Sequence, residues 1–376
     1  MRSLDLFTGI AGMTYALHPL GIVPHMYCET DPAARTRLER LMTTNRIPTA
    51  PIHDDVRTLH LHTGTVDLII GGFPCQGFSH AGKREGLDHP GSGLVSEVFR
   101  LVASTKAPFV FLENVTALLH SKNRTDLEHI VATFDSMGYD GRYVVMHGYD
   151  VGCPQKRSRA YFLFTKRRCR GAKERTLQAR SSSLVEPKVP EPPRFTNTRT
   201  PHITTRVRLL GNSVIPEMTR LAFLFLWTGC TLSRHDLMTR TSFPYVRCVA
   251  TVAASTPSTV GVFLKGVHLQ NTKPPTLVDE GYVPPRHVLD PGAFTSRPGT
   301  ARLSSPPITS PIIIEGWNTI RTHATGANRV LTDRSRRDVA TQMRFATDTP
   351  PELRGGYVNP VFYEWLMGYP LGWTDI

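Results

Sequence analysis

The first 165 residues predict a doubly wound α/β sheet. Three observations carry this: apolar runs of strand length alternate with segments of helical period, the first run ends in a glycine turn, and later runs end in loops rich in glycine or acidic residues. In such a sheet ligands gather beyond the carboxyl ends of the strands, so those loops hold the candidate chemistry.

The first strand is the short apolar run at 3–7, which ends at the turn GIAG (Gly9 to Gly12) and is followed by a helical stretch through Leu17. The second runs from Val23 to Cys28 and stops at Glu29-Thr30-Asp31. Pro32 then occupies a helix first-turn position, and 33–42 carries the helical period. Further strands are expected at VDLII (66–70), FVFL (109–112), 143–146 and 160–164, with helices near 95–104 and 126–137. Beyond Phe164 the character changes. Residues 166–180 hold seven basic side chains against one acid, Glu174, and prolines 187, 190, 192, 193 and 201 follow, so 166–205 reads as a basic, Pro-rich linker. GNSVIP (Gly211 to Pro216) introduces a helix at 217–227, within a segment 206–229 that returns to the first domain. Residues 230–357 are rich in Thr, Pro, Ser and Arg, with β-prone runs at 260–264 and 312–314. They are expected to form a second, smaller irregular domain, followed by a motif-bearing segment at 358–376.

The 376 residues are 40% hydrophobic and 20% charged, which suits a globular chain able to bury a core. The apolar run LAFLFLW (221–227) is too short to cross a bilayer, and no charged-then-apolar leader opens the chain, so neither membrane insertion nor secretion is expected. Six cysteines without CxxC spacing indicate neither a metal site nor a disulfide framework, and point to reduced thiols inside a cell. Forty-four Lys and Arg against 31 Asp and Glu give a net charge of +13. Such a field favours a polyanion, of which nucleic acid is the commonest intracellular kind; a basic tail that only aids solubility is the plainer alternative.

The candidate chemical features each have a dull reading beside the functional one. In DLFTGIAG (5–12) glycines let the backbone turn sharply and approach a ligand at a helix N-terminus, though a mere connection looks the same. Glu29, at the end of the second strand, has the position of an acid that takes ribose hydroxyls, or is a solvated strand end. Asp55, in DDV, is a candidate for an adenine amino group. GGFPCQGFS (71–79) puts Cys75, flanked by Pro74 and Gln76, on a glycine-rich loop after a buried strand, where it is set for attack more than for packing. ENV (113–115) ends FVFL; desolvation there raises the Glu113 carboxyl pKa and lets it hold a proton near neutrality, unless it is an N-cap or a paired surface acid. In QKRSR (155–159) strand alternation gives Arg157 and Arg159 one face, suited to a carboxylate, a carbonyl oxygen or a phosphate.

Together, DLFTGIAG, ETD, DDV, GGFPCQGFS, ENV, QKRSR and GNSV resemble the motif set of the DNA cytosine-5 methyltransferases of compact bacterial and phage type. The resemblance covers 1–165, part of 206–227, and returns at NPVFYEWLMGYPLGW (359–373), which is similar to the ninth motif of phage-type members. It implies a Rossmann-like S-adenosylmethionine-dependent sheet in which the Cys75 thiolate adds to C6 of a cytosine, Glu113 holds or protonates N3, Arg159 contacts the cytosine carbonyl and Arg157 helps position Glu113. It further implies that Phe7, Gly9, Gly12 and Pro74 line the cofactor, with Glu29 on the ribose, Asp55 on the adenine, and Asn212 and Ser213 closing around the methionine end. The implied partner is double-stranded DNA with the target base flipped out, gripped by a recognition region at 230–357. A monomer without metal or membrane, in the cytoplasm or nucleus, is the matching expectation.

Two departures stand out. Ala11 replaces the family's usual second glycine, which is harmless unless φ there must be positive. GNSV normally follows the recognition region and the ninth motif but here precedes both, so the chain is either an intact rearranged enzyme or a decayed or chimeric frame; the presence of every chemically tasked residue favours the former. An RNA-directed relative and a catalytically silent DNA-binding module are the competing readings.

Overall fold

The structure, a computed structural model, describes residues 1–74, 94–119, 124–151, 153, 155–169, 190–228 and 356–375, residues 340, 343 and 346, and the backbone of five strands between 259 and 318. The strands are β1 (Arg2–Leu6), β2 (Val23–Cys28), β3 (Ile52–His53), β4 (Leu68–Gly72), β5 (Phe109–Val115), β6 (Tyr139–His147), β7 (Gln155–Lys156), β8 (Ser158–Lys166), β9 (Phe195–Thr196), β10 (Thr259–Leu264), β11 (Val267–Gln270), β12 (Arg286–Leu289), β13 (Ile312–Glu315), β14 (Trp317–Asn318) and β15 (Tyr357–Val358). The helices are α1 (Gly12–Leu17), α2 (Pro32–Thr43), α3 (Val95–Thr105), α4 (Arg124–Ser136), α5 (Ile203–Asn212), α6 (Pro216–Thr228) and α7 (Pro360–Leu366).

The main sheet has the order β11-β10-β6-β8-β5-β4-β1-β2-β3. Strands β3, β2, β1, β4 and β5 run parallel, and the order reverses at β1 and β4, the switch point where α/β sheets open a ligand crevice. The expected doubly wound fold is therefore present. Next to β5 the sheet turns antiparallel: β8 pairs antiparallel with both β5 and β6. This brings the start of β8 to the same edge as the end of β5, with Val115 opposite Arg159.

Both faces are covered, which is why the central strands read as unbroken apolar runs. Within β5, Phe109 and Phe111 pack with α1, α5, α6 and α7, while Val110 and Leu112 pack with α3 and α4. Asp31 caps α2 by accepting from the amides of Ala33 (2.9 Å) and Ala34 (3.3 Å), and Pro32 takes its first turn. Residues Ile203–Trp227 are apolar and long enough for a bilayer by length and composition, yet 83% of the window is buried inside the protein. They form two helices broken at Ser213, packed on the sheet as core.

Several boundaries differ from the sequence reading. β4 lies two residues later than 66–70, and Asp67, just before it, meets the start of β1 through its side chain, which accepts from the Arg2 amide (2.8 Å), and its own amide, which donates to the Arg2 carbonyl (2.9 Å). β5 continues through ENV, so Glu113 is within the strand and not beyond it. β6 and β8 are nine residues each, longer than their apolar cores, since their mutual pairing recruits polar residues such as Asp140 and Arg142. α5 was not foreseen. β9 lies inside the expected linker and pairs antiparallel with β15. β10, from the expected second domain, pairs with β6 and so extends the main sheet.

Candidate active site

The turn after β1 is built from left-handed backbone: Phe7 has φ 53°, Gly9 56° and Ala11 60°. The condition that made Ala11 a problem is thus met, and an alanine there costs about 1–2 kcal/mol relative to its ordinary conformation. The turn forms nonetheless because its surroundings hold it. Thr8 N donates to Cys28 O (3.1 Å), and Ala11 N donates to Thr8 O (3.0 Å). Gly9 N donates to Glu29 Oε2 (2.6 Å), while Glu29 Oε1 accepts from Asp31 N (2.8 Å). Burial raises the Glu29 carboxyl pKa, against the pull of these backbone donors. No described residue lies within 4 Å of where a Cβ on Gly9 would stand, so the described chain leaves the backbone there open to a ligand.

Gly12 is the opposite case. A Cβ there would meet the Tyr369 hydroxyl and lie 2.8 Å from Val214 Cγ2. Gly12 is therefore the contact point for GNSV and for the 359–375 segment. Gly12→Ala is expected to destabilise the protein by about 1–3 kcal/mol through overpacking, read as a lowered midpoint in urea unfolding.

Asp5 lies beneath this turn, almost wholly buried, and accepts from Thr14 Oγ1 at 2.6 Å. Burial pushes its carboxyl up to about 8, with Glu29 adding to the rise and Thr14 opposing it. The stability linked to its proton is present below the ordinary carboxylate value and is lost as the pH rises through about 8. Asp5→Asn is expected to flatten that loss, measured as the difference in unfolding midpoint between pH 5 and pH 9.

At the neighbouring strand ends, Glu113 and Arg159 meet. They sit diagonally across the β5–β8 pair, within reach of long side chains, and Arg159 Nε lies 2.7 Å from Glu113 Oε1. Both are nearly buried. Burial raises the Glu113 carboxyl pKa, and the charges of Arg159 and Arg157 oppose it without winning. Gly72 pairs with Glu113 across β4–β5, and a Cβ on Gly72 would stand 2.8 Å from Glu113 Oε2, so the missing side chain makes room for the carboxylate. β4 leads directly to Pro74, which is half-buried. Cys75, the candidate nucleophile, lies outside the described residues. Among described thiols, burial pushes Cys28 and Cys153 up to about 12, which leaves neither as a thiolate near neutrality.

Arg157 is buried and does not hydrogen-bond Glu113. Its guanidinium donates to the carbonyls of Gly211 (3.4 Å) and Ser213, so it ties the start of β8 to GNSV and acts on Glu113 through its charge. Ser213 is buried, its hydroxyl donating to Leu210 O (2.9 Å), whereas Asn212 is exposed at the end of α5. At Asp55, Arg57 grips the carboxylate from two sides (3.0 and 2.7 Å) and lowers it to about 2. Phe7 is half-buried against the α3–α4 side of the core.

The sequence reading missed how the 359–375 segment docks. Asn359 caps α7 by accepting from Val361 N (3.1 Å), with Pro360 in the first turn, a signal visible as NP. Glu364, fully buried, accepts from Arg206 (3.0 Å) and from the amides of Gly372 and Thr374 (2.7 Å each). Arg37 donates to the carbonyls of Asp375 (2.6 Å) and Gly372 (3.0 Å). These partners are remote in sequence, and no local pattern announces them.

A family model for C-5 cytosine-specific DNA methylases matches residues 1–223. The chain belongs to this family. The type II methyltransferase M.CviJI of Paramecium bursaria Chlorella virus IL3A is 27% identical over 375 residues, covering 98% of this chain and 96% of its own. M2.BsuMI of Bacillus subtilis (strain 168) is 31% identical over 167 residues, 43% of this methylase and 41% of that protein. M.MspI of Moraxella sp is 34% identical over 163 residues, 43% and 38% respectively. Against these bacterial relatives the methylase matches less than half of their length, whereas the viral match covers nearly the whole of both chains. Among solved structures, S. pombe Dnmt2 methyltransferase matches over 44% of this chain and 49% of its own, at 20% identity and a TM-score of 0.34.

Proposed function

We propose that this methylase transfers a methyl group from S-adenosylmethionine to C5 of a cytosine flipped out of double-stranded DNA, through a covalent adduct between Cys75 and C6. The observation that carries the reading is the Glu113–Arg159 pair, 2.7 Å apart at the strand edge from which β4 leads to Cys75. A carboxyl with a raised pKa beside a guanidinium suits a pyrimidine whose N3 needs a proton and whose carbonyl oxygen needs a donor.

The Cys75 thiolate adds to C6 while Glu113 supplies a proton or hydrogen bond at N3, so negative charge does not build on the ring. C5 then takes the methyl from the sulfonium, releasing S-adenosylhomocysteine. Loss of the C5 proton to water, return of any N3 proton to Glu113 and expulsion of the Cys75 thiolate restore the aromatic base. Because C6 is buried in a stacked duplex, the base must leave the stack first. For the methyl donor, the open backbone at Gly9 and the pinned Glu29 carboxylate supply an approach and a hydroxyl acceptor. Asp55 serves the adenine only if Arg57 yields it. The basic balance of the chain fits the phosphate backbone.

The test is transfer of tritium from labelled S-adenosylmethionine to duplex DNA and, in parallel, to tRNA, with a 5-fluorocytosine duplex as covalent trap. Label in duplex DNA and a trapped complex are expected. Label in tRNA alone would move the reading to an RNA-directed enzyme, and label in neither to a silent binding module.

A further inference from the structure

The β1–α1 turn holds two side-chain-bearing residues in left-handed backbone, Phe7 and Ala11, and such a backbone persists only when its surroundings over-determine it. On the β2 side Glu29 and the Cys28 carbonyl do so. On the opposite side the holding groups come from the 359–375 segment. Trp373 is fully buried and its indole N–H donates to the Ile10 carbonyl at 2.9 Å. Tyr369, also buried, donates its hydroxyl to Val214 O at 3.0 Å, and that hydroxyl fills the space a Cβ on Gly12 would need. Tyr15 of α1 packs against both rings, with centroids 6.3 and 4.6 Å away. Behind the rings, Glu364, Arg206 and Arg37 fix the backbone that carries them. Two hydrogen bonds from one segment thus join the glycine turn to GNSV.

We propose that Tyr369 and Trp373 are positioning residues for the methyl donor: they set the spacing between the β1–α1 turn and the Val214 segment, and so keep the open backbone of Gly9 available to S-adenosylmethionine. They act through the turn and not on the reacting atoms. This rests on the proposed reading of that turn as the donor site.

The experiment uses Tyr369→Phe and Trp373→Phe in the full chain, each deleting one hydrogen bond while keeping an aromatic ring. Calorimetric titration with S-adenosylmethionine should show Kd raised about tenfold in each variant, and the donor KM should follow. The kcat at saturating donor and the affinity for duplex DNA should change by less than about twofold, because uniform donor binding is what is lost. Unchanged donor affinity in both variants overturns the inference and leaves the proposed function standing. A joint fall in donor affinity, DNA affinity and Tm also overturns it, since that is the mark of a merely structural role. If Trp373→Phe fails to fold, Tyr369→Phe decides alone. Failure of the wild-type protein to bind S-adenosylmethionine at all removes the proposed function, and the inference with it.

Discussion

Cys75→Ser is expected to reduce methyl transfer to duplex DNA by on the order of 10⁴-fold or more, while leaving the Kd for S-adenosylmethionine unchanged. A serine hydroxyl has no charged form near neutrality and is a far weaker nucleophile than a thiolate. Neither of the two buried thiols is suited to substitute. Cys28 and Cys153 are buried, with their thiols pushed up to about 12, and Cys153 is further engaged with the Leu366 carbonyl at 3.1 Å. Tritium transfer and trapping by 5-fluorocytosine DNA should disappear together. Residual trapping in the variant would mean that another group forms the adduct.

Glu113→Gln is expected to lower kcat by about 10²–10⁴-fold, the range for loss of a positioned acid. The amide still fits beside Gly72 and can donate a hydrogen bond, but it has no proton to give, and it leaves the nearly buried Arg159 without its ion-pair partner. The pH profile separates these effects. Burial raises the Glu113 pKa, so the protonated form persists to higher pH than for an ordinary carboxylate. Activity that needs that form falls as the pH rises through the raised value. The Gln variant should lose this alkaline limb. An alkaline limb that survives in Glu113→Gln would assign it to another group.

How much of this was legible depended on the range of the interactions. β2 matches the apolar run Val23–Cys28, and α2 follows the Asp31-Pro32 start, because capping and burial on both faces leave local marks. Glu113 and Arg159 are readable as polar residues at the ends of apolar runs, and the antiparallel register of β5 and β8 brings them together. Arg157 was only half legible. Its acceptors are the backbone carbonyls of Gly211 and Ser213, which carry no residue-type signal. Gly72 was seen as part of a loop, and its role in admitting the Glu113 carboxylate emerges only from the parallel register of β4 and β5. The docking of 359–375 was invisible, since Arg37, Arg206 and Glu364 make sense only as a group.

The bond from Trp373 to Ile10 joins positions 363 apart in sequence. A ribosome making about 5–20 residues per second exposes the glycine turn many seconds before its far-side partner exists. Contacts of such long range also slow the final stage of folding. A nascent or prematurely stopped chain therefore carries the elements of the sheet before the bond that ties the glycine turn to the 359–375 segment can form, and that tie awaits synthesis of nearly the whole polypeptide.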